Sequence, residues 1–589
     1  MTGTGKKRAF HVCLVLVTLF TVYSARLVYL QVTRHEYFVE RAAETHITKK
    51  SLYAPRGSIY DVNGEILAVS EPLKSVIADP SIIKDPQAMA EALSDLLEMP
   101  ADEIRRKIES GRERNSKYVP LKHKVLEVTA SKIAQRLSER RLRGILFEQT
   151  SRRVYPNGTM LSHVLGFLNR EENGVQGVEM TMNHYLRGQH GYRYTERDRL
   201  GRELVAYRGE ERPPRDGYNV RLTIDMALQA IVEEELDAAF REYRPEMATA
   251  IMMEPKTGRI LAIANRPTFD PNFPGEGKGQ EMKNAAIVNL VEPGSTFKIV
   301  TTVAALNDKV VDLDTIINCE NGRFHFAGKV LRDHGHGPFP NLSVADVLIR
   351  SSNIGVAKLA MKMGEQRFYE YLRRFGFGER TGIALPGEIP GRLAPPHKWS
   401  KISISRIPMG QGVATTPLQM VAAMAAIANG GYLMLPQIVD SVIDNDGNTI
   451  VEYKPVVVRQ VVDKEATDKV KIALRGVVSR RGTARGAAVE GFSVGGKTGT
   501  AQKANPNGGY YDHRYVTSFI GIMPVDDPAF VCMVLFDDAK VPESRNYGGV
   551  LAAPVFARIA QRAARHLNLK PDLVPESDNS AIQITQATR

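Results

Sequence analysis

Apolar residues along the chain follow three patterns, each typical of a different kind of element. From Ala9 to Leu30 they form a nearly continuous run, about long enough to span a bilayer as a helix. From Met226 to Tyr243 they recur with helical spacing behind Asp225, a preferred N-cap residue. Elsewhere they form short runs typical of strands. The pattern therefore predicts a membrane anchor followed by folded regions of mixed helix and strand.

The strand-like runs lie on both sides of a long, mostly helical region in the second half of the chain. Two precede it and are joined by a Pro-Lys-Thr-Gly turn, and three follow it. They are Ala248–Met253, Arg259–Ala264, Ser493–Lys503, Val516–Met523 and Phe530–Phe536. A last helix is predicted from Pro554 to Leu567. Strands from both ends with helices between them predict an α+β fold, in which helices pack against one antiparallel sheet.

These patterns divide the 589 residues into five predicted segments. A short arm (1–8) precedes the anchor (9–30), and an elongated α+β stem (31–216) follows it. The stem shows no cluster of residues suited to catalysis. A globular domain (217–570) comes next, and the polar composition of the C-terminal segment (571–589) predicts a disordered tail.

The residues around the apolar run predict how the anchor is oriented. Lys6, Lys7 and Arg8 precede it, which favours a cytoplasmic N-terminus with the remaining chain on the outer side. The alternative is a cleaved signal peptide. Its best cleavage site, after Ala25, would put Tyr23 where a small residue is preferred. We therefore expect a retained single-pass anchor in the cytoplasmic membrane.

Composition excludes several classes of function. The net charge of +12 is not accompanied by zinc-finger spacing, an RNP motif or a concentrated basic helix, so nucleic acid is not an expected partner. Cys13, Cys319 and Cys532 are too far apart in sequence to suggest a metal site. His334 and His336 have no matching set of ligands, so a polar loop is predicted there. No metal or cofactor is expected.

A first candidate for chemistry is Ser295, which follows a Pro-Gly turn and precedes a helix predicted over Thr296–Leu306. Lys298 would lie one turn along the same helix face. A hydroxyl and an amine at the positive end of a helix dipole are suited to be a nucleophile and its base. In isolation, the same residues would be interpreted as a helix-capping serine and a solvated lysine.

Two further stretches offer groups of matching chemistry. Ser351-Ser352-Asn353 follows a helix predicted over Val344–Arg350, and Ser351 and Asn353 alternate, so both can face one cavity. Lys497 and Thr498 lie in the glycine-rich strand Ser493–Lys503 and would offer a cation and a hydroxyl to an anion. Alone, the first would be an ordinary interhelical loop and the second an edge strand with a bulge.

Taken in order, Ser-x-x-Lys, Ser-x-Asn and Lys-Thr-Gly resemble the signature of penicillin-binding proteins and serine β-lactamases. The resemblance implies a transpeptidase domain, with helices on both faces of a five-stranded antiparallel sheet. Three further stretches resemble the stem of class B penicillin-binding proteins: Arg56-Gly57, Arg153-x-Tyr155-Pro156 with His163 and Gly166, and Gly177-Val178-Glu179. The C-terminal run Lys497-Thr498-Gly499-Thr500-Ala501, with Tyr547-Gly548-Gly549 and Ala553-Pro554-Val555-Phe556, most resembles the septal, FtsI-type members.

The resemblance implies a peptidoglycan D,D-transpeptidase that works through a serine acyl-enzyme and is the target of β-lactams. Ser295 would attack the carbonyl between two D-alanines of a stem peptide. Lys298 would act as base once its pKa is lowered by burial and by the nearby charge of Lys497. Ser351 would relay a proton to the leaving amine, and Asn353 would orient Lys298 and the substrate.

The strand residues have implied roles in binding. Lys497, Thr498 and Thr500 would bind the terminal carboxylate of the donor peptide, and Gly499 would let that peptide lie along the strand edge. Backbone N–H groups of Ser295 and Thr500 would form the oxyanion hole.

The resemblance also implies partners. A membrane-embedded, FtsW-type glycosyltransferase and other division proteins are expected, since the chain resembles no glycan-polymerising enzyme. An elongation role is the alternative to septal synthesis. One alternative for the activity is hydrolysis of the acyl-enzyme. A β-lactam sensor is disfavoured by the short cytoplasmic arm, and an inert scaffold is disfavoured by the intact motifs.

Overall fold

The computed structural model describes residues 3–38, 47–197, 203–333, 339–505 and 508–573. His334, His336 and residues 574–589 of the predicted tail lie outside the described residues. The chain forms two compact units. The N-terminal unit comprises Met1–Arg56, Ser70–Arg152 and Gly188–Gly217, and the C-terminal unit comprises Gly57–Val69, Arg153–Arg187 and Tyr218–Arg589. The five segments predicted from the sequence, with a boundary at 216/217, stay a prediction.

The strands are β1 (Ile47–Leu52), β2 (Ile59–Tyr60), β3 (Ile66–Ala78), β4 (Val119–Leu126), β5 (Ile145–Val154), β6 (Gly191–Arg197), β7 (Glu203–Arg212), β8 (Asn219–Leu222), β9 (Met247–Met253), β10 (Ile260–Arg266), β11 (Ile316–Asn318), β12 (Arg323–Phe326), β13 (Lys329–Arg332), β14 (Asn341–Ser343), β15 (Tyr432–Met434), β16 (Val439–Ile443), β17 (Thr449–Glu452), β18 (Val457–Gln460), β19 (Gly495–Ala504), β20 (Tyr510–Met523) and β21 (Phe530–Asp537). The α-helices are α1 (Gly3–Val28), α2 (Pro86–Leu97), α3 (Ala101–Glu113), α4 (Glu127–Glu139), α5 (Ser162–Leu165), α6 (Gly177–Thr181), α7 (Asn183–Leu186), α8 (Met226–Tyr243), α9 (Ala285–Val288), α10 (Lys298–Asn307), α11 (Val344–Ile349), α12 (Asn353–Met363), α13 (Glu365–Arg374), α14 (Ser403–Arg406), α15 (Pro417–Ala428), α16 (Lys464–Val478) and α17 (Gly548–His566).

The first helix is the one helix in the described residues that is long and apolar enough to cross a membrane. The apolar helical segment runs over Gly5–Thr33, and its large side chains are exposed, including Phe20 at 75%. Exposed apolar side chains over 29 residues fit a bilayer environment, because water would solvate them poorly. The finding suggests a single-pass membrane anchor.

The rest of the N-terminal unit has a small core of its own. Leu93, Ile104 and Ile133, from α2, α3 and α4, are fully buried and pack with residues of β3 and β4. Asp85 begins α2 by accepting hydrogen bonds from the backbone N–H groups of Gln87 and Ala88. Strands β1, β6 and β7 form a separate antiparallel sheet.

The C-terminal unit is built on a five-stranded antiparallel sheet in the order β10-β9-β21-β20-β19. Every residue of β9 is buried, because helices cover both faces of the sheet. Helices α8 and α17 contribute to the core on one face, while α10 and α15 belong to the core on the other. The predicted fold, a sheet assembled from the two ends of the domain, is confirmed.

Most element boundaries in this unit differ from the prediction by one or two residues, and two elements begin six residues earlier than predicted. Strand β20 begins at Tyr510 rather than Val516, because it continues past the sheet as a hairpin with β19. Helix α17 begins at Gly548 rather than Pro554, and Pro554 lies inside it. A side chain at Gly548 would collide with backbone atoms of Ser518 and Gly499, so glycine allows the early start of the helix at this crowded position.

Candidate active site

Ser295 lies in a single turn of 3-10 helix, Gly294–Phe297, that leads directly into α10. The sequence analysis placed it at the start of an α-helix, and the tighter turn replaces the first turn of that helix. Gly294 has a φ of 55°, a conformation that favours glycine. The turn is closed by Thr296, whose hydroxyl donates to the Pro293 carbonyl at 2.7 Å. Ser295 itself is half-buried, unlike its neighbours Gly294 and Thr296, which are buried.

Lys298, the first residue of α10, is completely buried. Its Nζ donates to the carbonyl oxygen of Ser351 at 2.6 Å, to the Ser351 hydroxyl at 3.1 Å and to Oδ1 of Asn353 at 2.7 Å. The structure therefore brings the first two predicted stretches together on one amine, although Ser351 and Asn353 are 53 and 55 residues from Lys298 in sequence. All three direct acceptors are uncharged.

Burial lowers the pKa of Lys298 to about 7, while the more distant negative charge of Asp333 acts to raise it. Taking an ammonium group out of water disfavours its charged form, and neutral acceptors compensate less than a carboxylate in direct contact would. Near neutral pH this lysine is therefore present both as ammonium and as free amine, and the free amine can accept a proton.

The Ser351-Ser352-Asn353 loop joins α11 to α12 and is held in an unusual conformation. Ser351 has a φ of 62°, which is uncommon for a residue other than glycine and costs of order 1 kcal/mol. Ser352 is buried and caps α12 by accepting from the Gly355 N–H at 2.9 Å. The cap fixes where α12 begins, and this orients Ser351 and Asn353 towards Lys298.

Asp333, which directly follows β13, was missed as a functional residue by the sequence analysis. Its carboxylate accepts hydrogen bonds from the Ser352 hydroxyl at 2.8 Å and from the backbone N–H groups of Asn353 and Ile354 at 2.6 and 3.0 Å. Asp333 begins the Asp-His-Gly-His-Gly stretch that was interpreted as a polar loop. No local sequence pattern links a carboxylate to a helix start twenty residues later.

The opposite wall of the site is β19, the edge strand of the sheet. Lys497 is fully buried there, and its Nζ lies 3.3 Å from the Thr498 carbonyl oxygen. Burial, with a smaller contribution from the charge of Lys298, places the pKa of Lys497 well below its ordinary value. We expected burial and the like charge of Lys497 to lower the pKa of Lys298. Burial is the largest cause, and the repulsion between the two ammonium groups is mutual, so it disfavours the state in which both lysines are charged.

The two threonines of β19 have different neighbours. The hydroxyl of Thr498 lies 2.9 Å from the hydroxyl of Thr483, and that of Thr500 accepts from the Gly548 N–H at 3.2 Å. Gly499 lies between them. A Cβ at Gly499 would come within 2.4 Å of the Ser518 hydroxyl oxygen and 3.2 Å of the Pro293 carbonyl oxygen. Glycine thus lets β19 pack closely against the turn that carries Ser295, as expected of a glycine inside a strand that another backbone approaches.

The turn that carries Ser295 is in direct contact with β19. A Cβ on Gly294 would lie 3.1 Å from the Cβ of Ala501, so Ser295 follows a residue that touches β19. Glu292 ties the turn to its surroundings by accepting from the Gly412 N–H and from the Tyr510 hydroxyl, both at 2.9 Å. Burial raises the pKa of Glu292. The predicted site residues therefore line one small region, and among described residues no group of three or more potential metal ligands occurs.

Such an arrangement is suited to acyl transfer. It combines a half-buried serine, a buried amine that titrates near neutral pH, a serine and an amide on that amine, and an open strand edge. Together with the sheet order, it defines the class of serine acyltransferases to which the penicillin-recognising enzymes belong.

Comparisons with known proteins agree with this class. A family model described as the penicillin binding protein transpeptidase domain matches residues 248–561, and one described as the penicillin-binding protein dimerisation domain matches residues 51–222. Stage V sporulation protein D of Bacillus subtilis is 33% identical over 570 residues, which cover 96% of this chain and 87% of that protein. Peptidoglycan D,D-transpeptidase FtsI of Escherichia coli K12 is 30% identical over 579 residues, covering 98% and 94%.

The solved structures point the same way. Penicillin binding protein 3 of Mycobacterium tuberculosis, complexed with aztreonam, is 27% identical, with a TM-score of 0.69 over 89% of this chain and 98% of that one. The chain belongs to the class B penicillin-binding proteins, whose catalytic domain is a serine-type D,D-transpeptidase acting in peptidoglycan synthesis.

Proposed function

We propose that Ser295 is the nucleophile and Lys298 the general base of peptidoglycan cross-linking by this protein. The observation that carries the proposal is the burial of Lys298 among uncharged acceptors, which brings its pKa to about 7. An ordinary lysine, with a pKa near 10.4, would be almost fully protonated at neutral pH and unable to take the serine proton. The matched pKa makes proton transfer efficient at physiological pH.

In the first half-reaction, Ser295 Oγ forms a bond with the carbonyl carbon between the two terminal D-alanines, while its proton passes to the free amine of Lys298. The carbon–nitrogen bond then breaks, and the departing D-alanine takes a proton through Lys298 and Ser351, which lie 3.1 Å apart. In the second half-reaction, an amine of another stem peptide attacks the acyl-enzyme, loses its proton by the reverse route and releases Ser295. The sum is one new peptide bond and one free D-alanine.

The strand wall is suited to hold the donor peptide. Strand β19 pairs with β20 alone along its described residues, so its other edge is available to an added strand. Lys497, Thr498 and Thr500 supply polar groups beside that edge for the terminal carboxylate, and Asn353 is placed to orient both Lys298 and the substrate amide. Backbone N–H groups of Ser295 and Thr500 are the proposed donors to the developing oxyanion.

We propose the septum as the place of action, with the N-terminus in the cytoplasm and the catalytic unit on the outer side. Identity to E. coli FtsI over nearly the full chain supports septal synthesis, while the similar identity to a sporulation protein shows that relatives serve other roles. An FtsW-type glycosyltransferase and other division proteins are the proposed partners. Depletion that produces filaments would support the septal role, and depletion that produces rounded cells would indicate elongation.

Intact-protein mass spectrometry after incubation with penicillin tests the chemical assignment. The wild-type protein should gain one long-lived penicilloyl adduct, and Ser295→Ala should gain none. Ser400→Ala, a change of an exposed serine elsewhere in the same unit, is the control and should be labelled as wild type. Labelling of Ser295→Ala at the wild-type rate would exclude Ser295 as nucleophile, and rapid loss of the wild-type adduct would indicate a hydrolase.

A further inference from the structure

We propose that Asp333 is a positioning residue for the reaction: its carboxylate holds the Ser351-Ser352-Asn353 loop against Lys298. The inference rests on the proposed role of Lys298 as base. It assigns to Asp333 two separable effects, one through hydrogen bonds and one through charge.

The hydrogen bonds fix Asn353 from both sides. Asp333 holds the backbone N–H of Asn353 at 2.6 Å, while the side-chain amide of Asn353 donates to the Arg332 carbonyl oxygen at 3.0 Å. With its NH2 group committed to Arg332, the amide must direct Oδ1 towards the ammonium group of Lys298, at 2.7 Å. Arg332 and Asp333, which are consecutive in sequence and far ahead of the loop, thus determine that Asn353 presents its oxygen to Lys298.

The same carboxylate stabilises a strained loop. Ser352 donates to Asp333 at 2.8 Å while its oxygen accepts from Gly355, so the hydroxyl is satisfied in both directions. Asp333 also accepts from the N–H of Ile354, so its negative charge lies at the positive end of α12, where the helix dipole favours it. These bonds hold the preceding residue, Ser351, in its left-handed conformation with two of its oxygens facing Lys298.

Asp333 is also the negative charge that acts on the buried amine. It opposes the effect of burial and raises the pKa of Lys298 towards the ordinary value. Three other charged groups lie nearby. Lys497 carries the same sign of charge as Lys298 and faces it from β19. Glu320 and Lys358 form an ion pair with each other at 2.7 Å, near Cys319. His334, the next residue in sequence, lies outside the described residues and needs its own control.

The two effects can be separated by substitution. Asp333→Asn removes the charge and keeps one oxygen that can accept from the N–H groups of Asn353 and Ile354, while an NH2 group replaces the oxygen that accepts from the Ser352 hydroxyl. Because the charge raises the pKa of Lys298, its removal must lower that pKa and enlarge the fraction of free amine in mildly acidic solution. Asp333→Ala removes both the charge and the hydrogen bonds.

The experiment measures the rate constant of acylation by a chromogenic β-lactam from pH 5 to 9 for the full-length protein in detergent. For Asp333→Asn we expect the acid limb of the profile to move to lower pH, by about one unit. For Asp333→Ala we expect the plateau rate to fall at least about tenfold, through displacement of the groups around Lys298. Glu320→Gln, which removes a nearby carboxylate paired with Lys358, and His334→Gln should both keep the wild-type limb.

An acid limb of Asp333→Asn that stays in place, or moves to higher pH, overturns the proposal. So does an acid limb that disappears in His334→Gln. The failure of the proposed function looks different: Lys298→Ala would then acylate at the wild-type rate. If Lys298→Ala loses acylation while Asp333→Asn leaves the limb unmoved, the base assignment stands and the role of Asp333 falls.

Discussion

The C-terminal unit buries cations in two kinds of surroundings, and the difference separates residues that hold the fold from residues suited to chemistry. Arg153 and Arg266 are each in contact with carboxylates, Arg153 with Glu179 at 2.6 Å and Arg266 with Glu233 at 2.8 Å. Lys298 is buried as deeply, but its direct partners are two serine oxygens and an amide. In the described part of the chain, it has no ion pair.

The physical consequence is a difference in charge state. A guanidinium group in contact with a carboxylate stays charged, and the pair acts as a fixed link between segments. Arg153 thereby connects its own segment with α6 through Glu179 and with the Gly57 carbonyl oxygen at 2.8 Å. A lysine among neutral acceptors is poised to lose its proton at neutral pH, as a base requires. Each prediction below tests one side of this contrast.

The largest expected effect is on activity and comes from Lys298→Met. Loss of the base should slow acylation by about 10²–10⁴-fold, the usual contribution of general acid–base catalysis. The free energy of unfolding should change by less than about 2 kcal/mol, because the loss of three hydrogen bonds is offset by the removal of a buried charge. Stopped-flow acylation and urea unfolding measure the two quantities. A large loss of stability with unchanged acylation would place Lys298 among the residues that hold the fold.

Glu179→Gln is the matched change on the structural side. Glu179 is completely buried and also accepts from the Tyr155 hydroxyl at 3.3 Å. Its neutralisation would break the buried ion pair between Glu179 and Arg153, and breaking such a pair typically costs about 3–5 kcal/mol. Urea unfolding should detect this loss, while any protein that remains folded should still be acylated. Glu465→Gln, in an exposed pair with Lys469, is the control and should cost less than about 1 kcal/mol.

Local sequence signals were sufficient for some of these features and not for others. Helix α8 was predicted with its bounds, because Asp225 caps it and its apolar spacing is regular. The five strands were found from their apolar runs, and the family resemblance implied the five-stranded antiparallel sheet, whereas the strand order came from the structure. Nothing local indicated that Asp333 would meet a loop twenty residues later, or that Arg153 and Gly57 would fold with the C-terminal unit. Such contacts depend on tertiary structure rather than on propensity.

Long-range contacts also overrode a local preference for where helix α17 begins. Pro554 suggested a helix start, as proline commonly does at the first position of a helix. The helix in fact begins six residues earlier, where Gly548 and Gly549 allow close approach of β19, β20 and the Thr483 carbonyl oxygen. The sequence analysis interpreted Tyr547-Gly548-Gly549 only as a family motif. Its physical role is to let α17 pack against the strand that carries Lys497.

The smallest expected effect concerns His163, another buried basic group that makes no ion pair with a carboxylate among the described residues. His163 is buried, and its Nε2 lies 2.7 Å from the Glu281 carbonyl oxygen, so this nitrogen must carry the proton of a neutral ring. Burial, together with the charge of Arg266, lowers the pKa of His163 to about 4 from 6.5. Below pH 6.5 the unfolded chain binds a proton that the folded chain rejects, so stability falls as the pH drops towards 4.

His163→Gln can keep the hydrogen bond to Glu281 and removes this titration. The wild-type protein should therefore lose about 2 kcal/mol of unfolding free energy relative to His163→Gln between pH 7.5 and pH 5. The exposed His397→Gln is the control and should run parallel to the wild type at every pH. Parallel curves for His163→Gln and the wild type would mean that the folded protein binds a proton at His163. Burial without a carboxylate partner would then not be sufficient to lower the pKa of a basic group.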